Sequence, residues 1–421
     1  MDKIDIIEDL KVRGMLDSFS DEQKIRELLK TPQTIYCGFD PSAKSMQLGN
    51  FIMITILRKL QQAGHRIIAL VGGATGMIGD PSGKAAERTF LGADSVFANA
   101  KCLAAQLSKY LDFSSPEKGI LLNNYDWWSK INVIEFLRDY GKQIPVNYML
   151  AKELVKKRLE TSGISYTEFS YMILQSGDFY NLRKKYGCTI QIGGGDQWGN
   201  LTTALEFCKR REGPECPCQV FSVKLITDSN GKKFGKSEKG ALYLDPSMTS
   251  PFDIYQYFIN VPDADVGRFL YIFSPDPIEK INEIIKKHME NPGLRTGQKA
   301  LARIVTTLVH GEKVADRCEE MTAALFSGDF NRLTADEALE LAHSLGAPEV
   351  EDNFPLLDAL VNTKLASSKS EARRFVTSAA VSINGNKITD IAAKITRDQA
   401  IGGKIVFIRR GKKSNGALII K

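Results

Sequence analysis

Three polar side chains with helical spacing are the first candidates for a binding pocket. Tyr171, Gln175 and Asp178 stand at positions i, i+4 and i+7, so a helix through them presents all three on one face. A polar stripe of this kind is most often a solvated surface. Its neighbours in residues 171–179 are mainly apolar and aromatic, however, and this favours a face that lines a pocket.

Two stretches have the residue types that bind an anion such as phosphate. Residues 48–50 begin a helix after a strand and a turn, and a helix N-terminus offers free N–H groups and a partial positive charge. An ordinary strand–helix–strand crossover without a ligand has the same pattern, so both interpretations stay open. The loop of residues 72–84 contains five glycines, which indicate unusual backbone angles or a close ligand. Lys84 and Arg88 favour an anion there over a merely flexible loop.

A second glycine-rich turn and a basic loop complete the candidate chemistry. Residues 193–195 are consecutive glycines at the end of a predicted strand, and Asp196 follows them where a helix opens. A carboxylate in that position suits the two hydroxyl groups of a ribose. Residues 228–237 form a polar loop rich in lysine and glycine, which predicts a mobile, positively charged segment.

These residues need a scaffold, and strand and helix patterns alternate through residues 34–225. The predicted strands cover residues 34–39, 67–71, 120–122, 189–192 and 220–225. The predicted helices cover residues 4–13, 25–29, 51–62, 96–111, 133–140, 148–160 and 171–179, with a further helix that continues through residue 208. Such alternation is typical of a doubly wound parallel sheet, so we expect a Rossmann-type α/β domain with a connective insertion over residues 1–245.

Beyond residue 245 the pattern changes. Residues 246–330 have helical periodicity without strands and predict an α-helical domain. Residues 331–352 are acidic and predict a linker. Residues 353–421 predict a small basic α+β domain with two helices followed by two hairpins, because Asn384-Gly385 between short apolar runs is a strong signal for a two-residue hairpin turn.

Composition restricts the class of protein. The chain has 421 residues, of which 43% are hydrophobic and 25% charged, as is ordinary for a globular protein. Because it has neither an 18-residue apolar run nor an apolar signal core, we expect no membrane span and no secretory signal. Seven scattered cysteines fit reduced thiols in a cytoplasm. Cys208, Cys216 and Cys218 are the only cluster, and with no histidine nearby we expect a plain loop there rather than a zinc site.

Positive charge is concentrated near the C-terminal end. The formal net charge is +6, but residues 353–421 hold 13 Lys/Arg against 4 Asp/Glu, a balance of +9, so the preceding 352 residues carry −3. A basic domain on a mildly acidic body indicates an anionic polymer as partner.

Several stretches, taken in order, match the motifs of one enzyme family. The matching segments are Tyr36-Cys37-Gly38-Phe39-Asp40-Pro41, residues 71–76 with 79–82, Asn123-Asn124-Tyr125-Asp126-Trp127, the stripe Tyr171/Gln175/Asp178, residues 191–194 with 196–200, and Lys233-Phe234-Gly235-Lys236-Ser237. Together they make the chain resemble bacterial-type tyrosyl-tRNA synthetases, which are class I aminoacyl-tRNA synthetases, along nearly its whole length. Residues 368–374 and the Asn384-Gly385 hairpin make the tail similar to a small RNA-binding domain shared with a ribosomal protein and pseudouridine synthases.

The resemblance implies a two-step ligase reaction. Tyrosine and ATP, with Mg²⁺ carried by the nucleotide, would form tyrosyl-adenylate and pyrophosphate. The tyrosyl group would then pass to the 3′ end of tRNA(Tyr). The resemblance also implies a cytoplasmic homodimer with no metal site of its own and no membrane contact.

The same resemblance assigns roles to particular residues. Contacts to tyrosine are expected from Tyr36, Asp80, Asn124, Tyr171, Gln175, Asp178 and Gln197. Contacts to ATP are expected from Cys37, Gly38, Asp40, Gly49, Asn50, Gly194, Asp196, Lys233, Lys236 and Ser237. Catalytic stabilisation of phosphate charge is expected from Ser42, Gln47, Lys84, Arg88, Lys233 and Lys236. Contacts to tRNA are expected from Lys369, Arg373, Arg374, Arg409, Arg410, Lys412 and Lys413.

One motif departs from the family pattern. Class I synthetases carry His-Ile-Gly-His at the start of the first helix, whereas this chain reads Gln47-Leu48-Gly49-Asn50, and none of its four histidines lies there. This puts the usual histidine contact to ATP in doubt. Two alternatives therefore stay open, an RNA-binding paralogue that does not aminoacylate and a relative specific for tryptophan. The intact lysine loop argues against the first, and a carboxylate paired with a tyrosine suits a phenol better than an indole.

Overall fold

The computed structural model of the chain describes residues 5–82, 91–229, 231, 234–237, 240–411 and 414–421. The chain forms two compact units, Met1–Leu244 with Tyr271–Phe273, and Asp245–Leu270 with Ser274–Lys421. The elements of the first unit are α1 (Ile6–Val12), β1 (Leu16–Phe19), α2 (Glu22–Leu29), β2 (Thr34–Phe39), α3 (Leu48–Gln62), β3 (Arg66–Val71), α4 (Thr75–Ile78), α5 (Ala93–Tyr110), β4 (Gly119–Asn123), α6 (Tyr125–Trp128), α7 (Val133–Glu135), α8 (Val146–Leu150), α9 (Glu153–Leu159), α10 (Tyr166–Tyr186), β5 (Cys188–Gly194), α11 (Trp198–Glu212), β6 (Gln219–Val223), β7 (Lys236–Ser237) and β8 (Gly240–Ala241).

A six-stranded sheet forms the centre of the first unit. Its strand order is β1-β6-β5-β2-β3-β4, and every neighbouring pair is parallel except β1, which runs antiparallel to β6. The predicted doubly wound parallel sheet is therefore confirmed. Strand β1 was not predicted, because it is short and its partner lies about 200 residues further along the chain.

Burial explains why the central strands read as apolar runs. Every residue of β6 is buried, and in β3 only Arg66 is partly exposed. A strand covered by helices on both faces has no polar side to alternate with. Helix α3 carries the crossover between β2 and β3, and it ends just before Gly64, whose φ of 95° suits glycine. The predicted strand–helix–strand unit of residues 34–71 is thus confirmed.

The strand order reverses beside β2. The chain runs from β2 through β3 to β4 at one edge of the sheet, and then returns to place β5 on the other side of β2. The chain segments that follow the carboxyl ends of β2 and β5 therefore diverge above the sheet. In doubly wound folds this switch point is where ligands bind.

The predicted helix at residues 133–140 changes character along its length. Val133–Glu135 is α-helical, Phe136–Tyr140 forms a π-helix, and Gly141–Gln143 forms a 3₁₀ turn. A π-helical turn is rare and frequently occurs at a functional site. The predicted helix at residues 148–160 is divided into α8 and α9.

The second unit contains helices and a small sheet. Its elements are α12 (Pro251–Ile259), α13 (Asp263–Phe273, whose last three residues belong to the first unit), α14 (Ile278–Glu290), α15 (Thr296–His310), α16 (Glu312–Ser327), α17 (Ala335–Ser344), β9 (Glu349–Val350), β10 (Phe354–Pro355), α18 (Leu356–Asn362), α19 (Lys369–Thr377), β11 (Val381–Ile383), β12 (Asn386–Ile388), β13 (Lys394–Ile395), β14 (Ile405–Arg410) and β15 (Ser414–Ile420). Asn384 and Gly385 both have positive φ and join β11 to β12, so the predicted hairpin is confirmed. Within the described ranges, no helix has the length and apolar character needed to cross a bilayer.

The structure differs from the linker interpretation of residues 331–352. Helix α17 lies there, and β9 joins the small sheet parallel to β15. Ala338, Leu341 and Ala342 are buried at helical spacing, while the acidic residues that suggested a linker occupy the rest of the surface. Phe330, just before this segment, stacks on Phe407 of β14 with ring centroids 4.3 Å apart. The segment is therefore folded and packed.

Candidate active site

A cavity of about 540 Å³ opens at the carboxyl ends of β2 and β5. All of the residues expected to contact tyrosine line it, namely Tyr36, Asp80, Asn124, Tyr171, Gln175, Asp178 and Gln197. So do nine of those expected to serve ATP or catalysis, namely Cys37, Gly38, Asp40, Ser42, Gln47, Gly49, Asn50, Gly194 and Asp196. The structure thus brings together residues that are up to about 160 positions apart in the chain.

Five of the residues expected to serve ATP or catalysis can be compared with the structure only in part or not at all. Lys84, Arg88 and Lys233 lie outside the described residues. For Lys236 and Ser237 only the backbone is described, as strand β7, which pairs with β8. Their expected roles in stabilising phosphate charge remain predictions.

Asp178 is a buried carboxylate on α10, with 1% of its surface exposed. Its Oδ1 accepts hydrogen bonds from the indole N–H of Trp127 at 2.9 Å and of Trp128 at 2.6 Å, and its Oδ2 accepts one from the Asn124 amide at 3.0 Å. Burial raises the pKa of Asp178 to about 7, and the three donors oppose this rise. A carboxylate has about four acceptor positions, so the described contacts leave one on Oδ2.

Tyr36 of β2 lines the cavity with its side chain almost completely buried. Burial, followed by the nearby negative charge of Asp178, raises the pKa of the Tyr36 phenol well above its ordinary value. The phenol therefore keeps its proton at neutral pH. A neutral hydroxyl next to a carboxylate offers a ligand both a donor and an acceptor.

A second carboxylate, Asp80, is held by amides at the start of α11. Gln197 Nε2 donates to Asp80 Oδ2 at 2.6 Å, and Asn200 Nδ2 donates to Oδ1 at 3.3 Å. The backbone N–H of Ser82 also donates to Oδ1, at 2.9 Å. These donors fix the orientation of a buried negative group at the wall of the cavity.

Asp40 links the end of β2 to α10 and α4. Tyr171 donates its hydroxyl to Asp40 Oδ2 at 2.8 Å, and Thr75 donates to Oδ1 at 2.7 Å. Asn124 in turn donates to the Thr75 oxygen at 2.9 Å. A Cβ at position 72 would lie 2.0 Å from Asp40 Oδ1, so only glycine leaves room for this network. Beside its predicted contact to ATP, Asp40 thus positions Tyr171.

Gln175 has an acceptor without a partner. Its Oε1 is buried and makes no hydrogen bond within the described part of the chain. An unpaired buried acceptor costs about 1–3 kcal/mol. Because Gln175 lines the cavity, a donor group on a ligand would remove that cost. The orphaned oxygen marks the position of such a donor.

The N-terminus of α3 forms the exposed rim of the cavity. Asn50 Oδ1 accepts a hydrogen bond from the backbone N–H of Gln47 at 3.0 Å, which fixes the start of the helix. The basic loop lies beside it, because a Cβ at Gly49 would be 3.8 Å from the Phe234 carbonyl and one at Gly235 would be 3.2 Å from the Gly49 nitrogen. Gly235, with a φ of 76°, is the position where a side chain would be strained and crowded by the start of α3.

The turn after β5 holds the second pair of predicted ATP residues. A Cβ at Gly194 would lie 2.6 Å from Asp196 Oδ1, so the carboxylate folds over a place that only glycine keeps open. On the neighbouring strand, burial raises the pKa of the Cys37 thiol to about 12, which keeps the thiol neutral. The Asp196 carboxylate can accept hydrogen bonds from hydroxyl groups, and the neutral Cys37 thiol can donate to them. Neither group adds positive charge.

Several residues that shape the cavity were not assigned a role from the sequence. Trp127 and Trp128 donate to one carboxylate, and Thr75 and Asn200 join the networks around the other two. The pair Trp127-Trp128 begins four residues after the carboxyl end of β4, and its place near a strand end is a signal in the sequence. Asn200 stands three residues after Gln197, so both amides lie on one face of the helical turn.

The basic residues near the C-terminal end differ in their surroundings. Lys369, Arg373 and Arg374 are exposed on α19, with Lys369 paired to Asp358 at 2.5 Å. Arg409 donates to the Phe326 carbonyl at 2.9 Å, and Arg410 donates to the Leu365 carbonyl at 2.7 Å and covers the Phe375 ring. Lys412 and Lys413 lie outside the described residues. The α19 side chains are therefore more available to a partner than Arg409 and Arg410.

Metal ligands are not assembled in the described part of the chain. It contains no group of three or more His, Cys, Asp or Glu side chains placed to hold an ion. Cys208, Cys216 and Cys218 are free, buried thiols. Burial raises the pKa of Cys216 to about 12, and a hydrogen bond with Cys208, followed by burial, raises the pKa of Cys218, so both thiols stay protonated at neutral pH.

Comparison with known proteins agrees with this site. The family described as class I tRNA synthetases (W and Y) matches residues 29–327, and the C-terminal domain of SYY-like tyrosine–tRNA ligases matches residues 340–417. The chain is 47% identical to tyrosine–tRNA ligase 1 of Bacillus licheniformis over 420 residues, which is 99% of each chain. It is 45% identical to tyrosine–tRNA ligase 2 of Enterococcus faecalis over 410 residues, covering 96% of this chain and 97% of that one.

A solved structure gives the same result. A C-terminally truncated mitochondrial tyrosyl-tRNA synthetase of Aspergillus nidulans matches with a TM-score of 0.68 and 31% identity, covering 77% of this chain and 94% of that one. Tryptophanyl-tRNA synthetases, such as that of Plasmodium falciparum at 15% identity and a TM-score of 0.54, share the fold. The two family models cover most of the chain, and a curated relative is more than 40% identical to it over 99% of its length. The chain therefore belongs to the bacterial-type tyrosyl-tRNA synthetases of class I.

Proposed function

We propose that this chain activates tyrosine with ATP to tyrosyl-adenylate and transfers the tyrosyl group to the 3′ end of tRNA(Tyr). The observation that carries the proposal is Asp178, a buried carboxylate with one acceptor position left at a cavity of about 540 Å³. That position fits the O–H of a phenol. The two curated relatives compared above are tyrosine–tRNA ligases, which supports the same activity.

Tyrosine fits the cavity with its two polar ends on separate groups. Its hydroxyl would donate to Asp178 Oδ2 and accept from Tyr36. Its ammonium would donate to the orphaned Gln175 Oε1 and lie near the Asp80 carboxylate, with Tyr171 held beside it by Asp40. Phenylalanine would leave the Asp178 position unpaired, and an unpaired buried polar group is what rejects a ligand that lacks the matching hydroxyl. Tyrosyl-tRNA synthetases are themselves the standard example of this kind of discrimination.

The first step needs positioning and charge stabilisation more than a base. A tyrosine carboxylate is already nucleophilic, so its attack on the α-phosphate of ATP depends on alignment and on stabilising the charge that develops on pyrophosphate. Gln47 and Ser42 can each donate to a phosphate at the start of α3, where the helix dipole also favours an anion. Lys84, Arg88, Lys233 and Lys236 would neutralise the departing pyrophosphate. Mg²⁺ would arrive with ATP and be held by the phosphates.

The nucleoside end of ATP would bind at the turn after β5. Asp196 can accept hydrogen bonds from both ribose hydroxyls, and Gly194 keeps the backbone open to their approach. Gly38 and Cys37 at the end of β2 border the same part of the cavity. The active region therefore lies within the first unit, and residues 1–245 form the catalytic domain in this proposal.

tRNA would bind through the basic domain of residues 353–421. Lys369, Arg373 and Arg374 on α19 are the exposed cations that support this assignment. Cationic side chains hold the phosphate backbone and release counterions, so the contact should be strongly salt-dependent. Base identity must be read by other groups, because phosphate contacts carry no sequence information directly.

A homodimer is the proposed assembly, and the reducing cytoplasm is the proposed location. Val133, Ile134, Leu137 and Val146 are exposed apolar side chains of the connective insertion, and a patch of this kind marks a surface that another protein covers. A second copy of the chain is the occupant that the family resemblance supports. Sedimentation equilibrium tests it, because a monomeric protein at micromolar concentration would contradict the pairing.

Seven free thiols fit a reducing compartment.

Amino-acid-dependent exchange of pyrophosphate into ATP is the test of the first step. Exchange with tyrosine but not with phenylalanine or tryptophan is the expected result, and charging of tRNA(Tyr) should follow. No exchange with any amino acid, together with retained RNA binding, would favour a paralogue that does not aminoacylate. Exchange with tryptophan in preference to tyrosine would mean that Asp178 accepts an indole N–H instead of a phenol.

A further inference from the structure

Trp128 makes the shortest of the three described hydrogen bonds to Asp178. The position of its indole ring depends on Gly177, the residue before Asp178. The indole ring crosses α10 at Gly177, where a Cβ would lie 2.6 Å from ring atom Cη2 and 2.7 Å from Cζ2. Glycine inside a helix is destabilising relative to alanine. The close passage of the indole is a physical reason for glycine in the middle of α10.

Two aromatic rings hold the other sides of Trp128. Phe136 and Tyr140 meet it edge to face, with centroids 5.9 Å and 4.9 Å away. Both belong to the π-helical segment Phe136–Tyr140, which stacks their two rings on each other. Trp128 is buried, so these contacts and Gly177 together fix the direction of its N–H.

The hydrogen bonds divide the two oxygens of Asp178 between the protein and the cavity. Trp127 and Trp128 both donate to Oδ1 and fill its two acceptor positions, whereas Asn124 takes one position on Oδ2. A carboxylate held by only one indole would keep an acceptor position on each oxygen. A ligand hydroxyl could then approach in either of two orientations.

We propose that Trp128 is a positioning residue for amino-acid selection. Its N–H occupies the second acceptor position on Oδ1 of Asp178, so that the ligand's hydroxyl must bind Oδ2. This inference rests on the proposed function, because it takes tyrosine as the ligand of the cavity. Gly177 and the π-helical segment are part of the same device. They set the orientation of an indole that does not itself touch the ligand.

The same N–H governs the charge of Asp178. A donor to the ionised form favours ionisation, whereas burial opposes it. The titratable groups that face Asp178 in the described structure are Tyr36, Asp40 and Tyr140. The pKa values of both tyrosines are raised, so they stay neutral, and the negative charge of Asp40 disfavours a second anion. Removing one indole donor therefore raises the pH at which Asp178 ionises.

Trp128→Phe tests the proposal, because it removes the N–H donor and keeps an aromatic side chain at the position, while the benzo ring atoms over Gly177 are lost with the indole. Equilibrium binding of tyrosine is measured from roughly pH 5.5 to about pH 9. This range extends to both sides of the pKa of Asp178, which is about 7. The pH midpoint of tyrosine affinity should move upward, and affinity at pH 7 should fall about tenfold, as expected for losing one donor to a charged group. Affinity should return towards that of the parent at the alkaline end. Selectivity over phenylalanine at pH 7 should fall as well.

Matched variants separate positioning from simple packing. Trp198→Phe removes the remaining tryptophan of the chain, on α11 and without a described contact to Asp178, and should keep the parent profile. Gly177→Ala keeps the N–H but pushes the ring away, and alanine favours the helix, so this variant should fold and shift the midpoint upward.

The outcomes distinguish this inference from the function on which it rests. An unchanged midpoint in Trp128→Phe and Gly177→Ala, with affinity lowered equally at every pH or not at all, would reduce Trp128 to a space-filling residue and overturn the inference. Absence of tyrosine binding by the parent at any pH would overturn the proposed function itself. A shifted midpoint in both variants, with Trp198→Phe unchanged, supports the inference.

Discussion

Replacing Asp178 by asparagine should stabilise the protein at pH 8 and at the same time remove its selection of tyrosine. Burial raises the pKa of Asp178 from the ordinary 3.8 to about 7. A group with a raised pKa in the folded state contributes stability that is complete below its unfolded pKa and is lost as pH rises through its folded pKa. The ionised side chain therefore costs the folded chain free energy above pH 7.

The size of the effect follows from the shift. About three pKa units at roughly 1.4 kcal/mol each give about 4 kcal/mol at pH 8, of which roughly 1.5 kcal/mol is already present at pH 5. The parent should thus lose roughly 2–3 kcal/mol of unfolding free energy between pH 5 and pH 8 from this group. Asparagine does not titrate, but its amide opposes the N–H of Asn124 and loses about 1 kcal/mol. The net gain at pH 8 is roughly 3 kcal/mol.

Urea unfolding followed by tryptophan fluorescence measures this directly. The three tryptophans of the chain all lie in the first unit, so their signal follows the unfolding of that unit. Asp126→Asn, a change at a nearby exposed carboxylate, is the control and should keep the pH dependence of the parent. Equal pH dependence in the parent and in Asp178→Asn would refute the raised pKa. Tyrosine-dependent exchange by Asp178→Asn at the parent rate would refute the binding assignment.

Three further changes test other parts of the molecule. Gln47→Ala should slow adenylate formation about 10–100-fold, the range for losing one polar partner of a phosphate, whereas Gln47→His should be tolerated; single-turnover rates decide, and parent-like kinetics in the alanine variant would contradict the role. Changing Arg373 and Arg374 to glutamine should weaken tRNA binding and lower the salt slope by about 1–2, and an unchanged slope would contradict the contact. A chain ending at Gly346 should still activate tyrosine and remain more heat-stable than one ending at Gly328, which lacks α17; equal melting would show that α17 adds no stability.

The parallel sheet was predictable because burial on both faces leaves a local pattern. Strand β3 is apolar after Arg66, and three of the five residues of β6 are apolar; the bounds of both strands in the structure lie within two residues of those expected. Strand β1 is four residues long and none of them is fully buried, so it leaves no apolar pattern, and nothing nearby in sequence indicates its partner. Helix α17 was missed for a different reason, since its buried face is narrow and the stretch around it reads as acidic, with a glycine and a proline after the helix.

The candidate site was predictable where helical spacing or motif order placed residues together. The stripe of α10 needs only 3.6 residues per turn to bring its polar groups to one face. The indole donors could not be assigned in the same way, because Trp128 and Asp178 are 50 positions apart and meet only when the end of β4 packs against α10. The lack of a partner for Gln175 Oε1 is a property of the packed interior and has no signal in sequence.

The pairing of β1 with β6 also sets an order of events during synthesis. Residues 16–19 leave the ribosome about 200 residues before β6, an interval of roughly 10–40 s at 5–20 residues per second. Throughout that interval β1 lacks its partner strand, so β1 can pair with β6 only after nearly the whole first unit has emerged. A chain without residues 1–20 would leave β6 as an open edge, with unpaired N–H and C=O groups beside Val220 and Phe221. Such an edge is a template for pairing with another chain, and β1 replaces it with an edge strand of only four residues, which offers a shorter template.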